Sequence, residues 1–379
     1  MADIKKMNIP LLDLTEQYKT IKSDVDEVLM KVVESQYFIL SPEVGALEKE
    51  IAAYTDTAYS AGVASGTDAI ILALKAAGIG PGDKVITTPF TFFATAESVS
   101  ALGATPVFVD IEPDSFNIDP DKVEELLRTT NNEKRKTIKA IIPVHLYGQC
   151  ANMERIMDIA ERYGLKVIED CAQAIGATRK GKKAGSFGTA GCLSFFPSKN
   201  LGGFGDGGMV ISSDEAFINR VKRLRVHGSR EQYVHEEIGF NSRLDSLQAA
   251  ILRVKLRKLD TWLDGRRVVA KRYDLAFTGL PLVTPKIDDG NTHTYHQYTL
   301  LADERDRLMK YLNDNGVGSR IYYPIPMHLQ PCYRDMGLKE GSYPISESVC
   351  KRALSIPVYP ELTEEKIVYI TDTVKKFYR

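Results

Sequence analysis

A lysine in an unusual setting is the side chain of this sequence best suited to chemistry. Lys199 stands in Ser194-Phe-Phe-Pro-Ser-Lys199-Asn, and the glycine-rich run 202–208 follows at once. Asp170 ends an apolar run that predicts a strand. A lysine in a turn between two strands, preceded by a strand ending in a carboxylate, suits a Schiff base with pyridoxal phosphate, because the carboxylate can pair with the pyridine nitrogen. The alternative is a solvated surface lysine, but aromatic, small and glycine residues surround Lys199 instead of charges.

A candidate phosphate site comes earlier in the chain. Ser65-Gly66-Thr67-Asp68 follows a segment that predicts a strand and opens one that predicts a helix. The free amides at a helix start attract anions, and a glycine lets a phosphate approach the backbone closely. The same residues also match a capping box, which needs no ligand, so both interpretations stay open. Ser194 could add its hydroxyl to the same phosphate.

Two glycine motifs resemble nucleotide-binding loops but lack the required context. Gly203-x-Gly205-x-x-Gly208 has the spacing of the dinucleotide fingerprint, yet the residues after it predict a strand instead of a helix. The run 176–183 has the spacing of a P-loop, but Lys183 replaces the serine or threonine that would bind magnesium. His293 and His296 stand three residues apart without a third ligand, so we expect no metal site.

Arg243 lies in Asn241-Ser-Arg243-Leu-Asp245, just before a long segment of helical periodicity. Its planar guanidinium is suited to a substrate carboxylate or phosphate. Asp245 is also consistent with a first-turn charge that complements the helix dipole. Phe92 is a core aromatic residue or a side chain that stacks on a planar cofactor ring.

Composition and charge argue against several classes of protein. The 379 residues carry 49 basic and 50 acidic side chains, a net charge of −1, so nucleic acid and anionic membranes are not expected partners. No stretch reaches the roughly 20 apolar residues of a membrane-spanning helix. The first ten residues lack the apolar core of a secretion signal, and the five cysteines form no Cys-x-x-Cys pair. We therefore expect a cytoplasmic globular protein.

Alternating strand and helix patterns predict the fold class. Segments with helical periodicity lie between short apolar runs at 61–64, 84–88, 106–111, 140–144 and 166–169. This alternation predicts an α/β protein with a mostly parallel sheet covered by helices. One long helix is predicted from Leu244 to about Leu275. We expect a large α/β domain over residues 1–255 and a smaller C-terminal α+β domain over residues 256–379.

Taken together, the motifs resemble one family. They are similar to those of the sugar-nucleotide aminotransferases of the DegT/DnrJ/EryC1/StrS family, which have the aspartate-aminotransferase fold (fold type I) of pyridoxal-phosphate enzymes. The resemblance covers almost the whole chain. It rests on the order of these motifs: Ile9-Pro-Leu-Leu-Asp-Leu, Ser65-Gly-Thr-Asp, Gly80-Pro-Gly-Asp, Phe90-Thr-Phe-Phe-Ala-Thr-Ala, Pro143-Val-His-Leu-Tyr-Gly, Glu169-Asp-Cys-Ala-Gln, Ser194-Phe-Phe-Pro-Ser-Lys, Gly205-Asp-Gly-Gly, Asn241-Ser-Arg-Leu-Asp and Tyr323-Pro-Ile-Pro-Met-His.

The resemblance implies pyridoxal 5′-phosphate as cofactor and assigns eight residues to it. They are Gly66, Thr67, Phe92, Asp170, Gln173, Ser194, Lys199 and Asn241. By this resemblance the catalytic pair is Lys199, which would form the Schiff base, and Asp170, which would pair with the ring nitrogen. Gln173 would pack over one ring face, with Phe92 stacked nearby. Asn241 would reach the phosphate from the second subunit of a homodimer with shared active sites.

The resemblance also implies the substrates. Arg243, Tyr323 and His328 would face them, L-glutamate would give the amino group, and a nucleotide-linked keto sugar would accept it. Dehydratases of the family carry histidine in place of the lysine, so Lys199 favours transamination. A UDP-linked 2-acetamido-3-keto-glucuronic acid is the preferred acceptor, ahead of a dTDP-linked 3-keto-6-deoxyhexose or a 4-keto sugar. A different class stays open, namely a relative that lost catalysis and senses pyridoxal phosphate or a sugar nucleotide.

Overall fold

The computed structural model describes residues 6–379, in which strands and helices alternate. The strands are β1 (Tyr59–Val63), β2 (Lys84–Thr87), β3 (Thr105–Phe108), β4 (Ile138–Ile141), β5 (Lys166–Asp170), β6 (Thr178–Arg179), β7 (Lys182–Lys183), β8 (Ala190–Ser194), β9 (Gly208–Ser212), β10 (Ser229–Glu231), β11 (Val234–His235), β12 (Leu282–Val283), β13 (Tyr298–Ala302) and β14 (Ala353–Ile356). The α-helices are α1 (Leu14–Lys19), α2 (Lys22–Ser35), α3 (Pro42–Tyr54), α4 (Gly66–Ala76), α5 (Ala94–Ala101), α6 (Pro120–Thr129), α7 (Asn132–Arg135), α8 (Met153–Tyr163), α9 (Glu215–Leu224), α10 (Ser246–Leu256), α11 (Leu259–Ala276), α12 (Arg305–Asp314), α13 (Pro344–Arg352) and α14 (Glu364–Phe377). Short 3₁₀ turns occur at Leu146–Gly148, Met327–Leu329 and Pro331–Met336. Residues 1–5, which form part of the segment expected to lack a secretion signal, lie outside the described residues.

The central sheet has seven strands in the order β1-β9-β8-β5-β4-β2-β3. The neighbours from β8 to β3 pair in parallel, and β9 pairs antiparallel with both β8 and β1. Six of the seven strands therefore run in one direction, which confirms the expected α/β fold with a mostly parallel sheet. The carboxyl ends of those six strands lie at one edge, where open α/β sheets bind ligands.

Alternation along the central strands builds a core on each face of the sheet. Cys192 and Val210 pack into one apolar cluster with residues of α4 and α9. Their neighbours Leu193 and Met209 point the other way and pack with residues of α3 and α10. Because helices cover both faces, β8 and β9 are buried almost throughout, as expected for a sheet enclosed by helices.

The C-terminal part has its own sheet and core. The strands β12, β13 and β14 form an antiparallel sheet. Its apolar side packs with residues of α11, α12 and α14. Ile9 joins the same cluster and forms a parallel bridge with Val317. We propose that the second domain begins near residue 256 and takes in the segment around Ile9.

The single long helix predicted from Leu244 to about Leu275 is wrong. The chain forms two helices, α10 and α11, separated by Arg257 and Lys258. Leu252 of α10 and Leu263 in the first half of α11 both pack beneath the central sheet. The second half of α11 buries Tyr273 in the C-terminal core, so the change of core occurs within α11 and not at the break. Helical periodicity continues across the break, which is why the pattern alone does not reveal it.

None of the helices between residues 6 and 379 combines the length and the apolar composition that a membrane span requires.

Candidate active site

The site lies at the carboxyl edge of the central sheet. Asp170 is the last residue of β5, and Ser194 is the last residue of β8. Ser65 follows the end of β1 and caps α4, while Phe92 lies in the loop after β2. The parallel course of these strands therefore brings together residues that are far apart in the sequence.

Lys199 lies in the turn that follows β8. Its backbone N–H donates to the carbonyl oxygen of Phe196 at 2.8 Å, which closes the turn. Burial lowers the pKa of the Lys199 ammonium to about 8, and the neighbouring Asp170 charge opposes that shift. The two side chains are thus close enough to interact electrostatically. A lysine with this lowered pKa holds a substantial fraction of neutral amine, the form with a free lone pair, near pH 8.

The Asp170 carboxylate is fixed from two sides. Its Oδ1 accepts a hydrogen bond from the backbone N–H of Ala172 at 3.1 Å. Its Oδ2 accepts one from the hydroxyl of Thr95 at 2.7 Å. The side chain is only 5% exposed, and its backbone pairs with the segment at Pro143 and His145. The carboxylate is therefore held in one orientation beside Lys199.

The start of α4 and the end of β8 form a narrow cradle. A Cβ atom added at Gly66 would lie 2.6 Å from the Cβ of Ser194, so only glycine fits there. Ser65 caps the helix by accepting from the backbone N–H of Asp68 at 3.1 Å, which confirms half of the expected capping box. The Asp68 carboxylate accepts instead from Ser242 at 2.7 Å. Among residues 6–379, no hydrogen bond takes up the amides of Gly66 and Thr67, which leaves them free for an anion.

Gln173 connects the sheet edge to the aromatic side chains around it. Its Oε1 accepts from the backbone N–H of Tyr147 at 2.7 Å, and its Nε2 donates to the hydroxyl of Tyr323 at 2.9 Å. The ring of Phe92 is 56% exposed and lies 6.0 Å from the Tyr323 ring, centroid to centroid. Burial raises the pKa of the Tyr323 hydroxyl above its ordinary value, so Tyr323 stays protonated at neutral pH.

Three residues predicted to face the cofactor or substrate make no hydrogen bond to Lys199, Asp170 or Gln173. Asn241 is exposed, and its backbone bridges to Val226. Arg243 is half-buried, and its guanidinium makes no hydrogen bond or ion pair within the described part of the chain. His328 is buried, with Nε2 held by Glu347 at 2.9 Å and the ring against Tyr343. The structure therefore brings Tyr323 to Gln173 but ties His328 to α13.

Sequence reasoning missed several residues around the site. Thr95 bonds to Asp170, and the backbone N–H of Tyr147 orients Gln173. The spacing of His293 and His296 raises only the question of a metal site, whereas in the structure burial and the positive charge of Lys199 lower the pKa of His296 well below the ordinary value. Thr91 and Thr95 stand four residues apart in the sequence, and this spacing by itself does not indicate a contact to Asp170.

A second group of titratable side chains lies next to the site. His145, Glu169 and Cys171 bring their ligand-type atoms within 4.8 Å of one another. Glu169 accepts from the imidazole of His145 and from three backbone amides, of Gly185, Phe187 and Gly188. Its lone pairs are thus already used, so the group holds the end of β5 in place.

Pyridoxal phosphate fits the residues of the site. The free amides of Gly66 and Thr67, with the Ser194 hydroxyl beside them, suit its phosphate. Asp170 offers a fixed negative charge for a pyridinium nitrogen, and Lys199 offers an amine for an aldehyde. Gln173 and Phe92 lie near enough to border a planar ring between these groups.

Comparison with known proteins places this arrangement in a family. The sequence pattern of the DegT/DnrJ/EryC1/StrS aminotransferase family matches residues 19–375. A protein named pleiotropic regulatory protein, from Geobacillus stearothermophilus, is 51% identical over 376 residues, which cover 98% of this chain and 99% of the relative. A UDP-N-acetyl-3-dehydro-alpha-D-glucosamine 3-aminotransferase from Acidithiobacillus ferrooxidans is 44% identical over 368 residues, 97% of each chain. The crystal structure of DesV from S. venezuelae, in complex with a ketimine intermediate, superposes with a TM-score of 0.94 at 38% identity and covers 98% of this chain and 99% of that one.

The match spans nearly the whole chain in both sequence and structure. It confirms the family resemblance that the motifs suggested, and it confirms the fold type I architecture. The chain therefore belongs to the DegT/DnrJ/EryC1/StrS family of aminotransferases, and its cofactor is pyridoxal 5′-phosphate.

Proposed function

We propose that the enzyme moves the amino group of L-glutamate to the 3-keto carbon of a UDP-linked 2-acetamido sugar, with 2-acetamido-3-keto-glucuronic acid as the first candidate. The carrying observation is the placement of Lys199, in the turn after β8, at the same carboxyl edge of the sheet as Asp170 and the free amides of Gly66 and Thr67. A relative that covers nearly the whole chain is named as a 3-aminotransferase of a UDP-linked 3-dehydro sugar, which supports position 3 and the UDP group.

Each residue of the site has a definite task in this proposal. When bound, pyridoxal phosphate supplies an aldehyde that combines with amino groups and a ring that accepts electrons. Asp170 keeps a negative charge at the ring nitrogen. Lys199 uses its neutral Nζ to take a proton from the reacting carbon of the donor and to return one to the acceptor. The amides of Gly66 and Thr67, with the Ser194 hydroxyl, bind the phosphate.

Tyr323 is oriented to donate a hydrogen bond to the sugar. The backbone N–H of Tyr147 can only donate, so the oxygen of Gln173 must face it and the NH₂ group must face Tyr323. The Tyr323 oxygen therefore accepts from Gln173, and its own proton is free for another partner. A hydroxyl or carbonyl oxygen of the substrate is the natural acceptor.

We propose that the Arg243 guanidinium binds an acidic group of the sugar nucleotide through two parallel hydrogen bonds. We expect Arg243→Lys to raise the KM for the sugar nucleotide about tenfold, because an ammonium cannot reproduce a bidentate contact. The half-reaction with glutamate should change much less. Steady-state kinetics with each substrate varied will measure both, and Arg257→Lys, at an exposed arginine after α10, is the matched control. Equal losses in both half-reactions would mean that Arg243 serves glutamate as well or supports the fold.

A panel of amino-sugar nucleotides tests the substrate assignment. The purified enzyme is incubated with 2-oxoglutarate and UDP-linked 3-amino sugars with and without the uronate carboxylate, a dTDP-linked 3-amino-6-deoxyhexose and a 4-amino sugar. Glutamate should form fastest with the UDP-linked 2-acetamido-3-amino uronate. A preference for the uncharged UDP sugar would show that the natural acceptor has no uronate carboxylate. A preference for the dTDP or 4-amino compounds would overturn the proposed acceptor.

A regulatory role is the second candidate, because the relative at 51% identity is named pleiotropic regulatory protein. Retention of Lys199 and Asp170 in a fixed geometry favours catalysis. Glutamate added to the holoenzyme should convert the cofactor absorbance from that of the aldehyde form to that of the amine form. A protein that binds cofactor and shows no such conversion with glutamate or other amino donors would be a sensor.

We propose that two copies of the chain share their active sites. Consecutive exposed apolar side chains, Tyr37 to Leu40, follow α2, and Tyr37 is 68% exposed. This strip is joined to the segment after Asn241, because Ile39 bridges to Asp245. A second copy that covered the strip would bring its surface against Asn241. Asn241 would then contribute to the phosphate site of the partner.

Mixing two inactive variants tests this sharing. Homodimers of Lys199→Ala and of a strongly impaired Asn241→Ala are mixed, dissociated into single chains and allowed to form dimers again. If Asn241 acts in the partner's site, both lesions fall in one site of the heterodimer and the other stays intact. Activity should then return to about a quarter of wild type for random reassortment, because half the dimers carry one good site.

The matched control is a mixture of Lys199→Ala with Asp170→Asn. These two residues interact within one chain, so every site of the heterodimer carries a lesion and no comparable recovery is expected. If heterodimers with Asn241→Ala form and activity does not return, Asn241 serves its own chain. Ser242, next to it, bonds to Asp68 of the same chain, which makes that outcome a real alternative.

A further inference from the structure

Two buried threonines stand behind the Asp170 carboxylate. The hydroxyl of Thr95, in α5, lies 2.7 Å from Oδ2 of Asp170. The hydroxyl of Thr91, in the loop before α5, lies 3.0 Å from that of Thr95. Thr95 is 0% exposed and Thr91 is 1% exposed, so water does not compete for either hydroxyl. The three side chains form a continuous line of hydrogen bonds.

The chemistry of the groups sets the direction of this line. An ionised carboxylate has only acceptor oxygens, so Thr95 must donate its proton to Asp170. The oxygen of Thr95 can then only accept from Thr91, which must donate. Both hydroxyl dipoles therefore point toward the carboxylate, and such an arrangement in a dry interior stabilises its negative charge.

Packing alone does not account for threonine at these two positions. Valine has nearly the same shape, and burying a hydroxyl costs free energy that only a hydrogen bond offsets. The helix has a second contact at the site: the hydroxyl of Ser98, one turn after Thr95, donates to the carbonyl of Ala94 at 2.7 Å. The same hydroxyl oxygen lies 3.3 Å from the backbone carbonyl oxygen of Thr67. One face of α5 thus touches both Asp170 and the first turn of α4.

We propose that Thr95, backed by Thr91, is a positioning residue that orients the Asp170 carboxylate and holds its charge against the ring nitrogen of the cofactor. The inference rests on the proposed function, in which Asp170 has that task. Thr95 touches neither cofactor nor substrate and acts through Asp170. Without its hydroxyl, the carboxylate keeps one backbone donor, and the proton on the ring nitrogen is held less firmly.

Four threonine variants test the hydrogen-bonded line from Thr91 through Thr95 to Asp170, which we call the relay. Thr95→Val removes the hydroxyl and keeps the shape, Thr95→Ser keeps the hydroxyl, and Thr91→Val removes the outer member. The matched control is Thr87→Val, because Thr87 is equally buried but donates to the carbonyl of Ile142 at 3.0 Å instead of to Asp170. We expect Thr95→Val to slow the half-reaction with glutamate about tenfold, since hydrogen bonds to charged groups are the strong ones. Thr91→Val should slow it about threefold, and Thr95→Ser should restore most of the rate.

The deciding measurement is the ¹⁵N chemical shift of ring-labelled pyridoxal phosphate bound to each variant. With Thr95→Val the signal should move toward that of an unprotonated pyridine, while Thr95→Ser and Thr87→Val should leave it near the wild-type value. Thermal unfolding of each apoprotein measures the structural cost separately. A signal unchanged by Thr95→Val, or moved equally by Thr87→Val, would overturn the relay.

Asp170→Asn separates failure of the relay from failure of the proposed function. If Asp170→Asn leaves the ¹⁵N signal unchanged, the role of Asp170 is wrong and the relay falls with it. If Asp170→Asn moves the signal and Thr95→Val does not, only the relay is wrong. The double variant Thr95→Val with Asp170→Asn should react no more slowly than Asp170→Asn alone, because Thr95 acts through the carboxylate. A further loss in the double variant would assign Thr95 an independent role.

Discussion

Lys199→Ala is expected to leave no measurable amino transfer with any sugar nucleotide. In the proposed function this side chain supplies both the amine that holds the cofactor and the base that moves the proton, so its removal would eliminate two functions together. Absorbance of the purified wild type should show a yellow Schiff-base band that the variant lacks. Steady-state assay of glutamate formation, with Lys199→Ala reconstituted in excess pyridoxal phosphate, measures the loss.

Borohydride reduction followed by peptide mapping provides the control. Lys255 is a buried lysine whose pKa is likewise lowered by burial to about 8, but its Nζ donates to the backbone carbonyl of Gly202 at 2.6 Å. The pyridoxyl mass should appear only on the peptide that contains Lys199. Labelling of Lys255 or of any other lysine would refute the assignment, and it would show that low pKa and burial are not sufficient to select the cofactor lysine.

Asp170→Asn is expected to slow turnover on the order of 100-fold or more, because a fixed charge at a reacting centre commonly supplies several kcal/mol. The carboxamide keeps the size of the side chain but carries no charge to hold a proton on the ring nitrogen. Single-turnover kinetics with glutamate measure the effect without the sugar step. Near-normal turnover would show that another group supports the ring.

Asp170→Asn should also shift the pKa of Lys199, and the direction of that shift can be predicted. The Asp170 charge raises the pKa of Lys199, while burial lowers it to about 8. Removing the charge leaves burial unopposed, so the pKa should fall further. The rate at which apoprotein captures pyridoxal phosphate follows the neutral amine and should rise with pH around a midpoint near 8. In Asp170→Asn the midpoint should move to lower pH, and a move to higher pH would contradict the proximity of the two groups.

Local patterns predicted the parts of the site that stand at strand ends. Asp170 and Ser194 each close an apolar run, and parallel strands place such ends at one edge. The partners of these residues come from distant parts of the chain, as in the pairing of His328 with Glu347 or of Gln173 with Tyr323. No periodicity encodes such contacts, because they depend on how helices and loops pack in three dimensions. The proposed role of Thr95 was therefore out of reach, even though helical periodicity was predicted between the apolar runs 84–88 and 106–111.

The bridge between Ile9 and Val317 has a consequence for how the chain is made. The ribosome makes Ile9 long before its partner Val317, because about 300 residues separate the two. Until then, the early segment has no strand or core of the C-terminal part to join. Contacts this distant in sequence are slow to form, since a long loop must close first. A C-terminal fragment cut near residue 256 would lack Ile9, leaving part of its core exposed to solvent and to other newly made chains.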